Sequence, residues 1–185
     1  MSLSRFLPWT KATSPTELAT QRLAAALVTM DVNVALVALA NGADPNGVLE
    51  APQVNKSRTF LQHALLNEHT PLFEALLTAG ANPMASCEGC VWPAPHLATL
   101  HENREAIDAL RAHPEVNFDL PVLDPMVGEL STARDIAARR GRTFGNWFGA
   151  RFSLTEAARP PAFADEAEQG LARWREQRKT RVRPR

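Results

Sequence analysis

Apolar positions recur along this chain with a helical period, in pairs of short runs separated by polar, proline-rich stretches. At three- and four-residue spacing they predict helix pairs over 15–29 and 33–41, 60–67 and 70–79, 94–101 and 103–112, and 132–140 and 143–151. The stretches between pairs, 42–58, 80–93 and 113–131, hold Pro45, Pro52, Pro83, Pro93, Pro114, Pro121 and Pro125, so they are not helix interiors. Loops that long in a compact domain are usually functional or disordered. Residues 1–13 read as an irregular arm. Phe144, Trp147, Phe148 and Phe152 fall three or four apart and are placed to seal the last pair. Pro160 and Pro161 break the chain, and Phe163, Ala167, Leu171 and Trp174 mark one further helical stripe beyond them.

The ends of these runs carry stop and start chemistry. Ser14-Pro15-Thr16-Glu17 has the spacing of a capping box with proline at the first helical position. Thr59 and Thr132 sit where a hydroxyl accepts from the amides of a helix start. Gly42 and Gly80 follow leucine-rich helices, where a left-handed residue ends the helix. Leu36, Leu39, Leu72, Leu76 and Leu77 are expected to fill the layer between successive pairs.

One phrase occurs twice. Ala26 to Asn46 and Ala64 to Met84 each run from an alanine through a leucine-rich stretch to Gly-Ala-Asp/Asn-Pro, 38 positions apart. A fixed period of this size signals stacked repeats. The second copy contains Thr59-Phe60-Leu61-Gln62-His63-Ala64, then His69, then Leu76-Leu77-Thr78-Ala79-Gly80-Ala81-Asn82. Weaker copies follow, in Ala94-Pro95-His96-Leu97-Ala98 and in Ser131-Thr132-Ala133-Arg134-Asp135-Ile136-Ala137-Ala138-Arg139-Arg140-Gly141. These residues resemble the ankyrin repeat over about 14–150, with Phe60 and Gln62 departing from the proline and histidine of its Thr-Pro-Leu-His phrase.

The resemblance implies an all-α ankyrin-repeat solenoid of helix pairs with long finger loops and a C-terminal capping helix. The repeat domain would span 14–152, after the arm 1–13 and before a capping helix and basic tail over 153–185. It implies that His69 and His96 tie repeats together by hydrogen bonds. It also implies that partners are met by the fingers and the exposed side of each pair's first helix. By register those places hold Val28, Thr29, Lys56, Arg58, Leu66, Asn67, Trp92, Leu100, His101, Glu129, Ser131, Arg139 and Arg140. Within them, Trp92 ringed by Arg58, His101, Arg139 and Arg140 reads as an exposed aromatic anchor suited to an acidic or mixed protein surface.

Composition narrows the classes. The 185 residues include 20 basic and 20 acidic side chains, a net charge of zero that argues against general nucleic-acid binding. A hydrophobic share of 45% is enough for a continuous core. No apolar run approaches the about 18 residues of a membrane span. The start lacks the longer apolar stretch of a secretory signal. Two cysteines do not make a disulfide framework, so a reducing, cytoplasmic setting is expected. The last segment carries Arg173, Arg175, Arg178, Lys179, Arg181, Arg183 and Arg185 against Glu176 alone, most simply a solvated tail.

Catalytic signals are sparse. Cys87-Glu88-Gly89-Cys90 can hold half a zinc site, with His96 and His101 downstream. That spacing is shorter than usual, and His96 matches the repeat's structural histidine. The five histidines show no Gly-x-Ser-x-Gly, His-Glu-x-x-His or phosphate-cradling glycine loop around them. The reading is a non-enzymatic protein-binding module without cofactor, metal or small-molecule substrate. It would sequester or inhibit a partner, one concrete version being an immunity protein that neutralises a toxin. A host-directed effector or adaptor is the alternative, and a metal or redox enzyme using Cys87 and Cys90 the third.

Overall fold

The structure, a computed structural model, describes residues 14–50, 57–87, 90–124 and 127–152. It divides into two compact units, with the boundary between Asn82 and Pro83. Each has the same order: helix pair, two-stranded antiparallel ladder, helix pair.

The first unit comprises α1 (Pro15–Thr29), α2 (Val32–Ala40), β1 (Val48–Leu49), β2 (Arg58–Thr59), α3 (Phe60–Leu66) and α4 (Thr70–Thr78). The start of α1 is a capping box, in which Ser14 accepts from the Glu17 amide and the Glu17 carboxylate accepts from the Ser14 amide. Thr59 and Gln62 form the same box on α3. Gln62 therefore makes the polar exchange, a working alternative to the histidine it displaces. The helix ends repeat too. Gly42 (φ 82°) donates to Leu39 and Ala43 to Ala38; Gly80 (φ 89°) donates to Leu77 and Ala81 to Leu76. Thr20 accepts from the Asp44 amide, and Asn46 accepts from the Asn82 amide, so each post-helix turn is held by a side chain from earlier in the unit. Leu23, Leu27, Leu65, Leu72, Phe73 and Leu76 fill the core.

The second unit comprises α5 (Ala94–Leu100), α6 (Arg104–Arg111), β3 (Val122–Asp124), β4 (Glu129–Ser131), α7 (Ala133–Arg139) and α8 (Arg142–Phe152). Thr132 and Asp135 again form a capping box. The aromatic run of α8 buries Phe144, Phe148 and Phe152, with the Phe118 ring tilted against Phe152, their centroids 4.6 Å apart. Arg151 lies over the Trp147 ring at 4.1 Å and binds Asp108 at 2.8 Å, fastening α8 to α6.

The all-α solenoid of helix pairs with long finger loops is corrected. The described residues are mainly helical but include two antiparallel strand pairs, β1 with β2 and β3 with β4. Val48 opposes Thr59, and Leu123 opposes Leu130. The physical reason is that β-branched and leucine side chains in these connections line up beside turn glycines. Gly47 lets the Phe60 ring cross it, since a Cβ there would fall 2.4 Å from that ring. Gly128 (φ 75°) closes the second ladder by donating to Asp124. Pairing satisfies backbone groups that an irregular finger would leave to water. The expected arm over 1–13 and the capping helix and tail over 153–185 lie outside the described residues. Among the described residues, no helix is long and apolar enough to cross a membrane.

Candidate partner-binding surface

The residues expected to form one surface are placed very differently. In the first unit, Arg58 sits half-buried on β2, before α3, while Leu66 (half-buried) and Asn67 (exposed) end it. The seven-residue helix between them is about 10 Å long, so they form no cluster. The Asn67 amide donates to the His63 carbonyl at 2.7 Å, closing the helix end. Lys56 lies outside the described residues. His63 is held below its usual pKa by burial and then by the Arg58 charge.

In the second unit, Trp92 is corrected from exposed anchor to core residue. It is 6% exposed, and its indole N–H donates to the Leu123 carbonyl at 3.1 Å. A large ring with one polar edge is favourably buried when that edge finds an acceptor, which β3 supplies. His101 is exposed at the end of α5. Its neighbour Glu102 pairs with Arg140 at 3.0 Å, bringing His101 and Arg140 to one end of the unit. Arg139 donates to the buried Asp124 carboxylate at 2.6 Å and to the Ser131 hydroxyl at 3.1 Å. Glu129 lies directly across the ladder from Asp124, so Arg139 also offsets two facing carboxylates. Both arginines are therefore engaged within the fold, with each side chain still 44% exposed.

His96, Asp124 and Ser131, residue types used in nucleophilic catalysis, fall together here. Their geometry is structural. The His96 Nε2–H donates to the Leu120 carbonyl at 2.9 Å. Burial pulls its pKa down to about 4, against the opposing pull of the Leu120 and Ser131 backbone and the Asp124 charge. The Ser131 oxygen accepts from Arg139, and all three side chains are buried. The cluster ties α5, the β3–β4 ladder and α7 into one unit. Asp124 was not singled out in the sequence, because an aspartate in a proline-rich connection carries no periodic signal.

The surface that does stand out is apolar. Among the described residues, five of the eight exposed large hydrophobics lie on the first helix pair: Leu18, Val28, Val34, Leu36 and Val37. The inward positions of α2 go to Ala35 and Ala38, which lets α1 and α4 approach closely. Leu36 is accordingly 48% exposed and Val37 60%, correcting Leu36 as a filler of the layer between pairs. The helix Val32–Ala40 contains no charge. A helix this apolar is normally buried, and here one side is open, with Asn33 the one polar residue on it. The signal is legible in the run Val-Asn-Val-Ala-Leu-Val-Ala-Leu-Ala, in which Asn33 is the one polar residue offered to water.

Comparison with known proteins adds no relative: no protein-family model matches the chain, and no curated protein is detectably similar to it.

Proposed function

We propose that this chain is a protein-binding module, working as the ankyrin-repeat proteins it resembles do, that sequesters or inhibits a partner protein by occlusion. The observation that carries the reading is the open apolar side of α1 and α2, centred on Val34, Leu36 and Val37. Contiguous exposed apolar side chains on a folded protein mark interaction sites. The absence of charge along α2 selects the chemistry: the partner presents an apolar, uncharged strip to this helix. The capped, hydrogen-bonded helix ends support the same reading, because a preformed surface limits the ordering cost of association.

The test is capture from source cells with the purified full chain as bait, followed by binding of the purified captured protein. Val34→Glu with Val37→Glu should abolish recovery of a specific partner while leaving the circular-dichroism spectrum unchanged. A partner recovered equally by both forms would overturn this surface. A purified partner that fails to bind the wild-type chain directly would overturn the function.

A further inference from the structure

The connection between α4 and α5 contains a local device that protein binding does not use. The Ala94 amide donates to the Pro83 carbonyl at 3.0 Å, closing the base of the loop. Further out, Cys87 and Cys90 oppose each other in an antiparallel bridge. Each donates its amide to the other's carbonyl, at 3.1 and 3.0 Å. Residues opposed in this way have their Cα atoms about 5.5 Å apart and their side chains on one face of the ladder. That separation falls inside the roughly 4.4–6.8 Å range of disulfides. The corresponding Cβ separation of about 4.5–5.5 Å exceeds the roughly 3.5–4.5 Å of a relaxed disulfide, so closure draws Cys87 and Cys90 closer together. A strained, accessible disulfide is readily reduced again. Both cysteines are half-exposed, so a small reagent can reach them.

We propose that Cys87 and Cys90 form a reversible dithiol–disulfide pair, oxidised by a low-molecular-weight disulfide of the glutathione type. One cysteine thiolate attacks a sulfur of the reagent. The reagent's S–S bond breaks, and one reagent thiolate leaves and takes up a proton. The second cysteine thiolate then attacks the protein sulfur of the mixed disulfide and expels the other half of the reagent as a second thiol. The protein loses two electrons and two protons, and the reagent gains them as two thiols. The Cys90 sulfur lies 4.0 Å from the carbonyl of Trp92, whose indole is bonded to β3. Drawing Cys90 toward Cys87 therefore pulls on the segment that carries Trp92 and its bond to β3. Redox state is thereby coupled to the position of a buried aromatic residue.

The experiment incubates the full-length protein with defined mixtures of oxidised and reduced glutathione, quenches with an alkylating reagent and reads intact and peptide masses. The expected product under excess oxidised glutathione has lost two hydrogens, takes up no alkylating group, and yields a peptide linking Cys87 to Cys90. Dithiothreitol should restore double alkylation. Cys87→Ser and Cys90→Ser should each stop at one stable glutathione adduct. Wild-type protein that carries two glutathione adducts, or that stays fully alkylatable under the same conditions, would overturn the proposal. Hydrogen exchange of Val122–Asp124 should change between the two redox states, and an unchanged profile would overturn the coupling to β3.

Discussion

At the turn inside each helix pair one residue takes a positive φ: Met30 at 57°, Glu68 at 55°, Glu102 at 55° and Gly141 at 113°. The next amide then donates back to the preceding helix, as Asp31 does to Ala26 and His69 to Ala64. Only one of the four is glycine, so three turns carry the steric cost of a left-handed Cβ. Gly141→Ala should destabilise by about 1–2 kcal/mol from backbone conformation alone, since a Cβ there meets no atom within 4 Å. Glu68→Gly should be neutral or slightly stabilising, because relief of strain offsets the extra freedom of the unfolded chain. Urea unfolding of the two variants checks both signs. His96 gives a pH dependence. Its pKa is lowered in the folded protein from 6.5 to about 4. Above pH 6.5 the ring is neutral in both states and its burial carries no protonation cost. As pH falls from 6.5 towards about 4, the unfolded chain binds a proton that the buried ring refuses, and stability is lost. The full loss is roughly 3 kcal/mol, and His63 acts in the same direction. Midpoints of urea unfolding at pH 7 and pH 5 should separate for the wild type and separate less for His96→Gln, in which the His63 contribution remains.

Element identity was legible wherever local chemistry decides it. The expected 15–29, 60–67 and 94–101 are found as Pro15–Thr29, Phe60–Leu66 and Ala94–Leu100, because a capping side chain, a proline at the first turn or a following left-handed residue marks each end. The two ladders were not legible. Val48–Leu49 and Arg58–Thr59 are too short to show alternation, and their pairing is set by partners about ten residues away in sequence. The same non-local pairing misled the reading of individual side chains. Trp92 is buried because β3 offers it a carbonyl, and Arg139 is engaged because Asp124 lies beside it. Arg139→Glu is therefore a stability variant rather than a clean surface probe. It removes a partner of a buried carboxylate and adds a third negative charge beside Asp124 and Glu129. The cost should be about 2–3 kcal/mol, below that of a fully buried pair because the Arg139 side chain is 44% exposed. Arg140→Glu loses only a half-exposed pair with Glu102 and should change stability by less than about 1 kcal/mol. Thermal unfolding of the two single variants distinguishes them, and equal losses would show that Asp124 is satisfied by other groups.

For the molecule as a whole, charge and apolar surface make opposite forecasts about how a partner is held. The chain is neutral, with 20 charges of each sign, and Arg139 and Arg140 are paired within the second unit. A surface built on free guanidinium groups would steer an acidic partner, and its association would slow steeply with added salt. The open side of α1 and α2 works otherwise. It has no charge along Val32–Ala40, and the side chains it offers are Val34, Leu36 and Val37. Association there removes apolar surface from water, whose signature is a negative heat-capacity change that salt hardly alters. Calorimetric titration of the purified partner should therefore give a clearly negative heat-capacity change and an affinity that shifts less than about threefold between 50 and 300 mM salt, a range over which screening of exposed charges becomes nearly complete. Val37→Ala should weaken binding by about 1.5 kcal/mol, in line with losing two buried methyl groups. Val34→Glu with Val37→Glu should remove binding altogether, since a carboxylate forced into an apolar contact has no partner on α2. An affinity that falls by orders of magnitude with salt, and that survives both glutamates, would move the contact off this helix pair and onto the basic side chains of the chain.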